Sequence, residues 1–310
     1  MLYSELQCSE AIHKAVERMG FAEMTEIQEK TIPVMLAGHD VIAKAPTGTG
    51  KTCAFGIPVA EHIQPENKYP QAVIMAPTRE LAQQIQDNFV AYGKQLAIFS
   101  CVLFGGVNQT AQVNALHRGA DIVVACPGRL LDLMGQGYIR LDYVETFVLD
   151  EADRMLDMGF IHDVRKIAAK LPEKHQTLLF SATMPQPILD ITREYQKDPV
   201  MVAIGSERSR TAENIEQFYF DCPMGRKMDV LNLLLAKYDP KLSVVFCNTK
   251  KMVDELSEYL TNAGYQAVGI HGDMRQYPGD GELQVPPHPH PHRHRCGSPR
   301  HRCGECGRSL

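Results

Sequence analysis

The sequence predicts an α/β fold in which helices cover both faces of a doubly wound parallel sheet. Short apolar runs of strand length alternate along the chain with segments of helical spacing. This alternation is typical of α/β proteins. The apolar runs are also continuous, without the polar residue at every second position that a half-exposed strand carries. Such runs indicate strands that are buried on both faces.

Six strands are predicted in the first part of the chain, at 40–45, 71–76, 99–104, 121–126, 145–150 and 176–182. Helical patterns lie between them, in the segments KTCAFGIPVAEHI, RELAQQIQDNFVAYGKQL, NQTAQVNALHRG, GRLLDLMGQG and DVRKIAAKL. Several of these segments end near Gly or Lys, which are common at helix C-termini. Residues 1–205 are therefore predicted to form a first, complete domain.

A polar stretch, GSERSRTAEN at 205–214, interrupts this pattern, and residues 206–213 are predicted to be an interdomain linker. Strand and helix patterns resume over 214–276, in the order IEQFYF, KMDVLNLLLAKY, SVVFCN, KKMVDELSEYLTNAG and QAVGIHG. This part is predicted to be the beginning of a second α/β domain. Apolar periodicity stops after Gln276, and residues 277–310 are predicted to be a disordered tail.

The composition limits the class of protein. The 310-residue chain is 44% hydrophobic and 22% charged, with a formal net charge of −5, so binding to nucleic acid would depend on local patches. No segment has the pattern of a signal peptide, and no apolar run reaches the roughly 18 residues of a membrane span. The six cysteines before residue 290 are scattered. A protein with free thiols in a reducing cytoplasm is expected.

The segment APTGTGKT at 45–52 lies between a predicted strand and a predicted helix. This is the context of a phosphate-binding loop, whose glycines let backbone N–H groups form a cradle for anions. Lys51 is expected to reach the β- and γ-phosphates, and the Thr52 hydroxyl is expected to bind Mg²⁺. The loop residues predicted to hold the nucleotide are Thr47, Gly48, Thr49, Gly50, Lys51 and Thr52.

The segment FVLDEAD at 147–153 places carboxylates at the C-terminal end of another predicted strand. In a parallel sheet this end lies beside the phosphate-binding loop, where the metal of the nucleotide is held. Asp150 is therefore predicted to bind Mg²⁺, and Glu151 to orient or deprotonate the attacking water. Together with Lys51, these carboxylates predict a nucleoside triphosphatase.

In order and spacing, the motifs of residues 1–276 resemble those of the DEAD-box family of ATP-dependent RNA helicases. The resemblance implies RecA-like domains, with ATP and Mg²⁺ as cofactors. It implies that Phe21 stacks near adenine and that Gln28 hydrogen-bonds the edge of the base, although Met24 stands where the family usually has Pro. The SAT segment at 181–183 matches the motif that couples hydrolysis to strand separation. The implied catalytic residues are Lys51, Asp150, Glu151, Ser181 and Thr183.

Three further motifs match those with which the family contacts RNA: PTRELA at 77–82, the pair Gly105-Gly106 and PGR at 127–129. Their arginines are expected to pair with phosphates and their glycines to let backbone N–H groups approach, so binding independent of RNA sequence is expected. Cys126 stands where the family has Thr, which removes one hydroxyl contact. The predicted RNA-binding residues are Pro77, Thr78, Arg79, Gly105, Gly106, Pro127, Gly128 and Arg129.

VVFCNT at 244–249 and HGDMRQ at 271–276 match the opening motifs of the family's second domain. Two later motifs of the family, A-R-G-x-D and H-R-x-G-R-x-x-R, have no counterpart in the sequence. The second of these supplies arginines to the γ-phosphate, and in related phosphoryl transfers such a residue is worth roughly 10³–10⁵ in rate. This chain is therefore expected to bind Mg-nucleotide but to hydrolyse it slowly. The alternative is a non-enzymatic fragment that binds nucleotide or RNA.

Three interpretations of the tail remain open. His292, His294, Cys303 and Cys306 could form a metal site, because CGEC has the spacing of zinc ligands. A basic RNA-binding tail is the second interpretation. The third is a shifted reading frame: regrouping the possible codons of HRCGSPRHRCG by one base permits T-D-V-A-A-R-G-I-D-V, which contains the missing A-R-G-x-D motif. The coding DNA around residues 274–300 would decide whether the frame is shifted.

Overall fold

The structure is a computed structural model that describes residues 1–205, 216, 218–223 and 225–271. The chain divides into two units, Met1–Glu213 and Asn214–Leu310. The predicted linker at 206–213 and the predicted tail at 277–310 lie outside the described residues, as do residues 272–276 of the HGDMRQ segment. Within the described ranges no helix is both long enough and apolar enough to cross a membrane.

A parallel sheet forms the centre of the first unit, which confirms the predicted fold class. Its strands in chain order are β1 (Val41–Lys44), β2 (Ala72–Met75), β3 (Ser100–Leu103), β4 (Ile122–Ala125), β5 (Thr146–Leu149), β6 (Gln176–Ser181) and β7 (Val200–Ala203). Across the sheet the order is β3-β4-β2-β5-β6-β1-β7. All six predicted strands form within their predicted ranges. The sequence did not predict β7, an edge strand with three of its four residues exposed.

Helices cover both faces of this sheet. One layer contains α1 (Glu10–Arg18), α2 (Glu26–Leu36), α3 (Lys51–His62) and α4 (Arg79–Leu96). The other contains α5 (Thr110–His117), α6 (Pro127–Gly135), α7 (Ala152–Asp157), α8 (Ile161–Ala168) and α9 (Gln186–Tyr195). A short 3₁₀ helix, Tyr3–Glu5, precedes α1. The five helical segments predicted from the sequence all contain helices, namely α3, α4, α5, α6 and α8.

Successive residues of a strand face the two layers in turn. In β2, Ile74 packs with the first layer of helices, whereas Val73 and Met75 pack with the second. All three side chains are completely buried. Each apolar side chain of this size contributes roughly 1.5–3 kcal/mol when it is removed from water. The continuous apolar runs in the sequence therefore follow from burial of the sheet on both faces.

In the second unit, α10 (Lys227–Tyr238) and α11 (Lys250–Asn262) form where the sequence predicts helices. The described residues of the three predicted strands IEQFYF, SVVFCN and QAVGIHG are not paired in a sheet. Phe218, Val244 and Phe246 are 67%, 72% and 94% exposed. Their apolar pattern is that of buried strands, but among the described residues no neighbouring strand accepts their backbone hydrogen bonds.

Candidate active site

The predicted functional segments lie at one edge of the first unit's sheet. Each of β1 to β6 is followed directly by one of these segments, and the strands are all parallel, so their carboxyl ends meet at a common edge. The nucleotide and hydrolysis segments follow β1, β5 and β6, which are neighbours. The three predicted RNA segments follow β2, β3 and β4, which are also neighbours. The strand order thus separates the edge into a half with the predicted nucleotide segments and a half with the predicted RNA segments, called below the nucleotide half and the RNA half.

The loop after β1 has the backbone of an anion cradle. Gly48 and Gly50 have φ angles of 83° and 90°, a left-handed conformation that costs little only for glycine. Gly50 caps α3, so the N-terminal N–H groups of that helix point toward the loop. The Lys51 side chain is only 7% exposed, and its Nζ donates to the Ala45 carbonyl at 2.9 Å. The ammonium is therefore already held inside the loop.

The threonines of the loop take different positions. Thr47 is exposed at the tip, whereas the Thr49 hydroxyl donates to the Pro46 carbonyl at 2.8 Å and stabilises the turn. Thr52 lies half-buried in the first turn of α3. Lys51 and Thr52 are thus the first two residues of α3, at the base of the cradle. This is where a phosphate-binding lysine and a metal-binding hydroxyl are needed.

Gln28 is buried against this loop. Its Nε2 donates to the Gly50 carbonyl at 3.0 Å, and its Oε1 accepts from the Thr25 N–H at 2.8 Å and from the Tyr3 hydroxyl at 2.7 Å. A Cβ at Gly50 would overlap the Gln28 amide. The side chain predicted to read adenine therefore also connects the start of α2 to the phosphate loop. Its contact with a base stays a prediction.

Phe21, the residue predicted to stack near adenine, is 41% exposed. Its ring centroid lies 6.3 Å from that of Tyr3, which is buried beside Gln28. The ring is thus at the surface near the segment that holds Gln28, where a planar base has access to it. Stacking on a base stays a prediction.

Asp150 follows β5 and is 2% exposed. Burial raises the pKa of its carboxyl to about 7, and the negative charges of Glu151 and Asp153 act in the same direction. The Lys51 ammonium and a hydrogen bond from the Glu151 N–H, 3.0 Å from Oδ1, act to lower this pKa. A bound cation would offset the cost of burying the ionised carboxyl of Asp150.

Glu151 has a left-handed backbone with φ 52° and ψ 51°. This conformation is uncommon for a residue with a Cβ, and strained residues of this kind cluster at active sites. The side chain is 17% exposed, and Arg154 Nη1 lies 3.2 Å from its Oε2. The predicted base is thus held at the edge of the sheet beside Asp150.

Asp153 is a functional residue to which the sequence analysis assigned no role. Its Oδ2 accepts from the Thr183 N–H and from the Thr183 hydroxyl, both at 2.8 Å. Its own N–H donates to Ser181 Oγ at 3.1 Å. These bonds join the segment after β5 to the segment after β6. Because Ser181 and Thr183 lie about thirty residues further along the chain, spacing alone did not identify the pair.

Asp153→Ala is expected to destabilise the first unit by about 1–3 kcal/mol near pH 7, because it removes two hydrogen bonds to a carboxylate. Burial acts to raise the pKa of Asp153, but its hydrogen bonds with Thr183, Ser181 and Arg154 outweigh burial and lower it. The stabilisation is therefore present above the ordinary carboxyl pKa and disappears as the pH falls through the lowered value. Urea unfolding at pH 7 and pH 3 measures both effects.

The control for that experiment is Asp157→Ala, an exposed residue at the end of the same helix. It should change the free energy of unfolding little. Equal effects of the two substitutions at pH 7 would contradict the role given to Asp153.

On the RNA half, Pro77 is buried and Thr78 caps α4, where its hydroxyl accepts from the Leu81 N–H at 3.3 Å. The Arg79 side chain is exposed and forms no hydrogen bond or ion pair with any residue that the structure describes. Its guanidinium lies against Gly106, whose φ is 78° and where a Cβ would overlap the arginine. The geometry therefore brings together three of the predicted RNA contacts: Arg79, Gly105 and Gly106.

The PGR segment begins α6, with Pro127 at its first position and Gly128 exposed. The structure places Arg129 differently from the prediction. Its Nη1 donates to Gln112 Oε1 and its Nη2 to the Val107 carbonyl, both at 3.1 Å. The side chain is 11% exposed, and Asp132 lies 3.8 Å from Nε. Two of the five guanidinium N–H donors thus bind protein acceptors, and pairing of Arg129 with a phosphate stays a prediction.

No group of three or more His, Cys, Asp or Glu side chains that could hold a metal occurs among the described residues. The predicted Mg²⁺ site therefore provides one carboxylate, from Asp150, and one hydroxyl, from Thr52. These are oxygen ligands, which Mg²⁺ prefers, and it commonly takes its remaining ligands from phosphates and water. The zinc ligands proposed for the tail lie outside the described residues.

Comparison with known proteins agrees with the motifs. The family model for DEAD/DEAH box helicases matches residues 25–191. The DEAD-box ATP-dependent RNA helicase CshA of Geobacillus kaustophilus is 45% identical over 274 residues, which are 88% of this chain and 58% of that relative. The CshA of Bacillus subtilis is 46% identical, over 88% of this chain and 55% of the relative. The chain thus spans somewhat more than half the length of these curated relatives.

A crystal structure of a DEAD box protein from the hyperthermophile Methanococcus jannaschii matches with a TM-score of 0.64 at 38% identity. The match covers 89% of this chain and 74% of that one. Because the family model matches more than half of the chain, and because the motifs of the family meet at one edge of the sheet, this chain belongs to the DEAD-box family of ATP-dependent RNA helicases.

Proposed function

We propose that this chain binds ATP with Mg²⁺ at the loops after β1, β5 and β6, and RNA at the loops after β2, β3 and β4. In this proposal it is an RNA-stimulated ATP hydrolase that opens short RNA duplexes locally. The observation that supports the proposal best is the strand order, which puts the two sets of loops on adjoining halves of one edge. Two ligands that bind there influence each other through shared strands.

In the nucleotide half, the N–H groups of the loop and of the first turn of α3 bind phosphate oxygens, and Lys51 neutralises their charge. Asp150 and Thr52 hold Mg²⁺, which when bound with the nucleotide offsets the developing charge on the phosphates. Glu151 orients the attacking water and accepts its proton. Phe21 and Gln28 hold the adenine.

Within the nucleotide half, Asp153 links the hydrolysis segment after β5 to the Ser181–Thr183 segment after β6. It follows Asp150 and Glu151 by two to three residues and holds the Ser181–Thr183 segment by hydrogen bonds. The first residue of the phosphate loop, Ala45, donates its N–H to the Ser181 carbonyl at 3.0 Å. A shift of the nucleotide loop or of Glu151 therefore moves the same segment.

In the RNA half, Arg79 and the N–H groups near Gly105, Gly106 and Gly128 contact phosphates and sugars. Such contacts position a strand without reading its bases, so affinity is independent of RNA sequence. Each phosphate contact contributes about −0.7 to the slope of log affinity against log salt for a single strand. Because the formal net charge of the chain is −5, electrostatic attraction of RNA depends on this local patch.

We expect this chain by itself to hydrolyse ATP slowly. The arginine motif H-R-x-G-R-x-x-R that the family brings to the γ-phosphate has no counterpart in the sequence. The described strand-like segments of the second unit are unpaired and exposed, with Phe246 at 94%. This favours, as a second candidate function, a fragment that binds nucleotide and RNA without completing the catalytic cycle.

Binding and hydrolysis measured separately test both candidates. A fluorescent ATP analogue should bind in the presence of Mg²⁺ and lose affinity with EDTA. Two unrelated single-stranded RNAs of equal length should bind with similar affinity. RNA-stimulated hydrolysis at a normal helicase rate would favour the active enzyme, and binding without hydrolysis would favour the fragment. Failure to bind nucleotide and RNA would overturn the proposed function.

A further inference from the structure

Two side chains form a bridge over the Gly105–Gly106 turn. Gln112, in the first turns of α5, donates from Nε2 to the Phe104 carbonyl at 3.0 Å. The Oε1 of the same side chain accepts from Arg129 Nη1 at 3.1 Å, and Arg129 Nη2 donates to the Val107 carbonyl at 3.1 Å. Phe104 and Val107 are the residues on either side of the glycine pair. The bridge therefore holds the turn at both ends.

The two side chains of this bridge are largely buried, while the turn that they hold is at the surface. Gln112 is 8% exposed and the Arg129 side chain 11%, whereas Gly106 and Val107 are exposed. Breaking either of the part-buried Gln112 bonds would leave polar groups with little access to water, whereas the Arg129–Val107 bond lies at the surface. The planar guanidinium can serve two acceptors at once, which a lysine ammonium does less well.

The Gly105–Gly106 turn also restricts the position of the Arg79 side chain. The Arg79 guanidinium lies against Gly106 so closely that any Cβ there would overlap it. Among the described residues the Arg79 side chain has no hydrogen-bonding or ion-pairing partner, and it is exposed at the first turn of α4. The arginine that is available to a phosphate is therefore Arg79, and the bridged turn forms the surface beside it.

We propose that Gln112 and Arg129 are positioning residues for RNA binding, which hold the Gly105–Gly106 turn against Arg79 without touching the RNA themselves. This inference rests on the proposed RNA-binding function of that turn. It assigns a role to Gln112, a neutral residue outside the recognised motifs, and it changes the role of Arg129 from phosphate contact to support of the turn.

RNA affinity of the full chain, measured over a range of salt concentrations, tests the proposal. Gln112→Ala and Arg129→Ala should each weaken binding roughly 2- to 10-fold, as expected when hydrogen bonds that fix a loop are removed. The double variant should bind RNA with about the affinity of whichever single variant binds less tightly, because the two side chains act as one unit. The salt slope should stay that of the wild type. If Arg129 instead bound a phosphate directly, its removal would reduce the slope by about 0.7.

Arg129→Lys distinguishes the two roles of the arginine most directly. Lysine binds phosphate as a point charge but cannot bridge Gln112 and Val107 in the geometry of the guanidinium. The proposal therefore expects R129K to lose as much RNA affinity as R129A, and retention of wild-type affinity by R129K would overturn it. Gln109→Ala is the control on the same helix, because Gln109 bonds to Gln136 and not to the turn. It should leave RNA affinity unchanged.

A double-mutant cycle on thermal stability tests the bridge without RNA. Melting temperatures of Q112A, R129A and the double variant should be non-additive if the side chains form a unit, and additive changes would overturn the bridge. A wild-type chain that binds no RNA would overturn the proposed function, and with it the RNA role of the bridge. The cycle would still decide whether the two side chains support each other.

Discussion

Asp150→Asn is expected to stabilise the nucleotide-free chain while it weakens Mg²⁺-dependent nucleotide binding. The carboxyl is 2% exposed and its pKa is raised from 3.8 to about 7, so its ionised form is unfavourable in the fold. A shift of this size corresponds to an unfavourable contribution on the order of 1–4 kcal/mol at pH 8. Asparagine removes the charge and keeps an oxygen that can accept from the Glu151 N–H. It also removes the carboxylate that holds Mg²⁺.

The pH dependence has a definite sign. Because the folded pKa is raised, the folded chain binds a proton that the unfolded chain has released between about pH 4 and pH 7. The favourable contribution of the protonated carboxyl is complete below the unfolded pKa and is lost as the pH rises through about 7. The stability advantage of D150N should therefore grow from pH 4 to pH 8. Thermal unfolding without nucleotide, repeated at several pH values, measures it.

Asp87→Asn provides the matched control, since Asp87 is exposed on α4 and only pairs with Gln83. Its effect on melting temperature should be small and should not grow over this pH range. With Mg²⁺ and an ATP analogue present, the wild type should have the higher melting temperature, because ligand binding stabilises the wild type and not D150N. A D150N variant that is less stable than the wild type at pH 8 without nucleotide would contradict the unfavourable burial of this charge.

The sequence predicts the first unit well because six of its seven strands each have a signal of their own. Each of β1 to β6 is a short continuous apolar run, and burial on both faces is enough to require such a run. The edge strand β7 has three exposed residues of four, so the same signal is weak there. In the second unit the apolar runs are present, but a run becomes a strand only when another strand pairs with it. Among the residues of that unit that the structure describes, the predicted strands are therefore unpaired.

The site was predicted residue by residue but not as an arrangement. Motif spacing identified Lys51 and Asp150, yet it did not reveal that β1 and β5 lie on either side of β6. The roles of Asp153 and Gln112 arise from partners that are distant in the chain. Arg129 was assigned to phosphate because the PGR segment matches a motif with which the family contacts RNA. Its burial depends on α5, which is a property of packing and not of the PGR segment.

Lys51→Ala is expected to weaken binding of Mg-nucleotide by about 100-fold or more. The Lys51 ammonium is 7% exposed and is held 2.9 Å from the Ala45 carbonyl, inside the curve of the loop. Charge-assisted hydrogen bonds to phosphate contribute roughly 1.5–3 kcal/mol each, and a phosphate-loop lysine reaches two phosphates. The substitution also removes the positive charge that lowers the pKa of Asp150. Titration with a fluorescent ATP analogue measures the decrease in affinity.

The effect of Lys51→Ala on the pKa of Asp150 distinguishes loss of a phosphate-binding group from general destabilisation of the fold. Without Lys51, the pKa of Asp150 should rise further above about 7, so the remaining Mg²⁺-dependent affinity should require a higher pH than in the wild type. Lys170→Ala is the control, because Lys170 is exposed between α8 and β6, near the amino-terminal edge of the sheet and away from the loop. If K51A and K170A bind nucleotide equally well, the loop after β1 does not hold the phosphates. If K51A binds weakly but with the pH dependence of the wild type, Lys51 acts on the phosphates alone and not through Asp150.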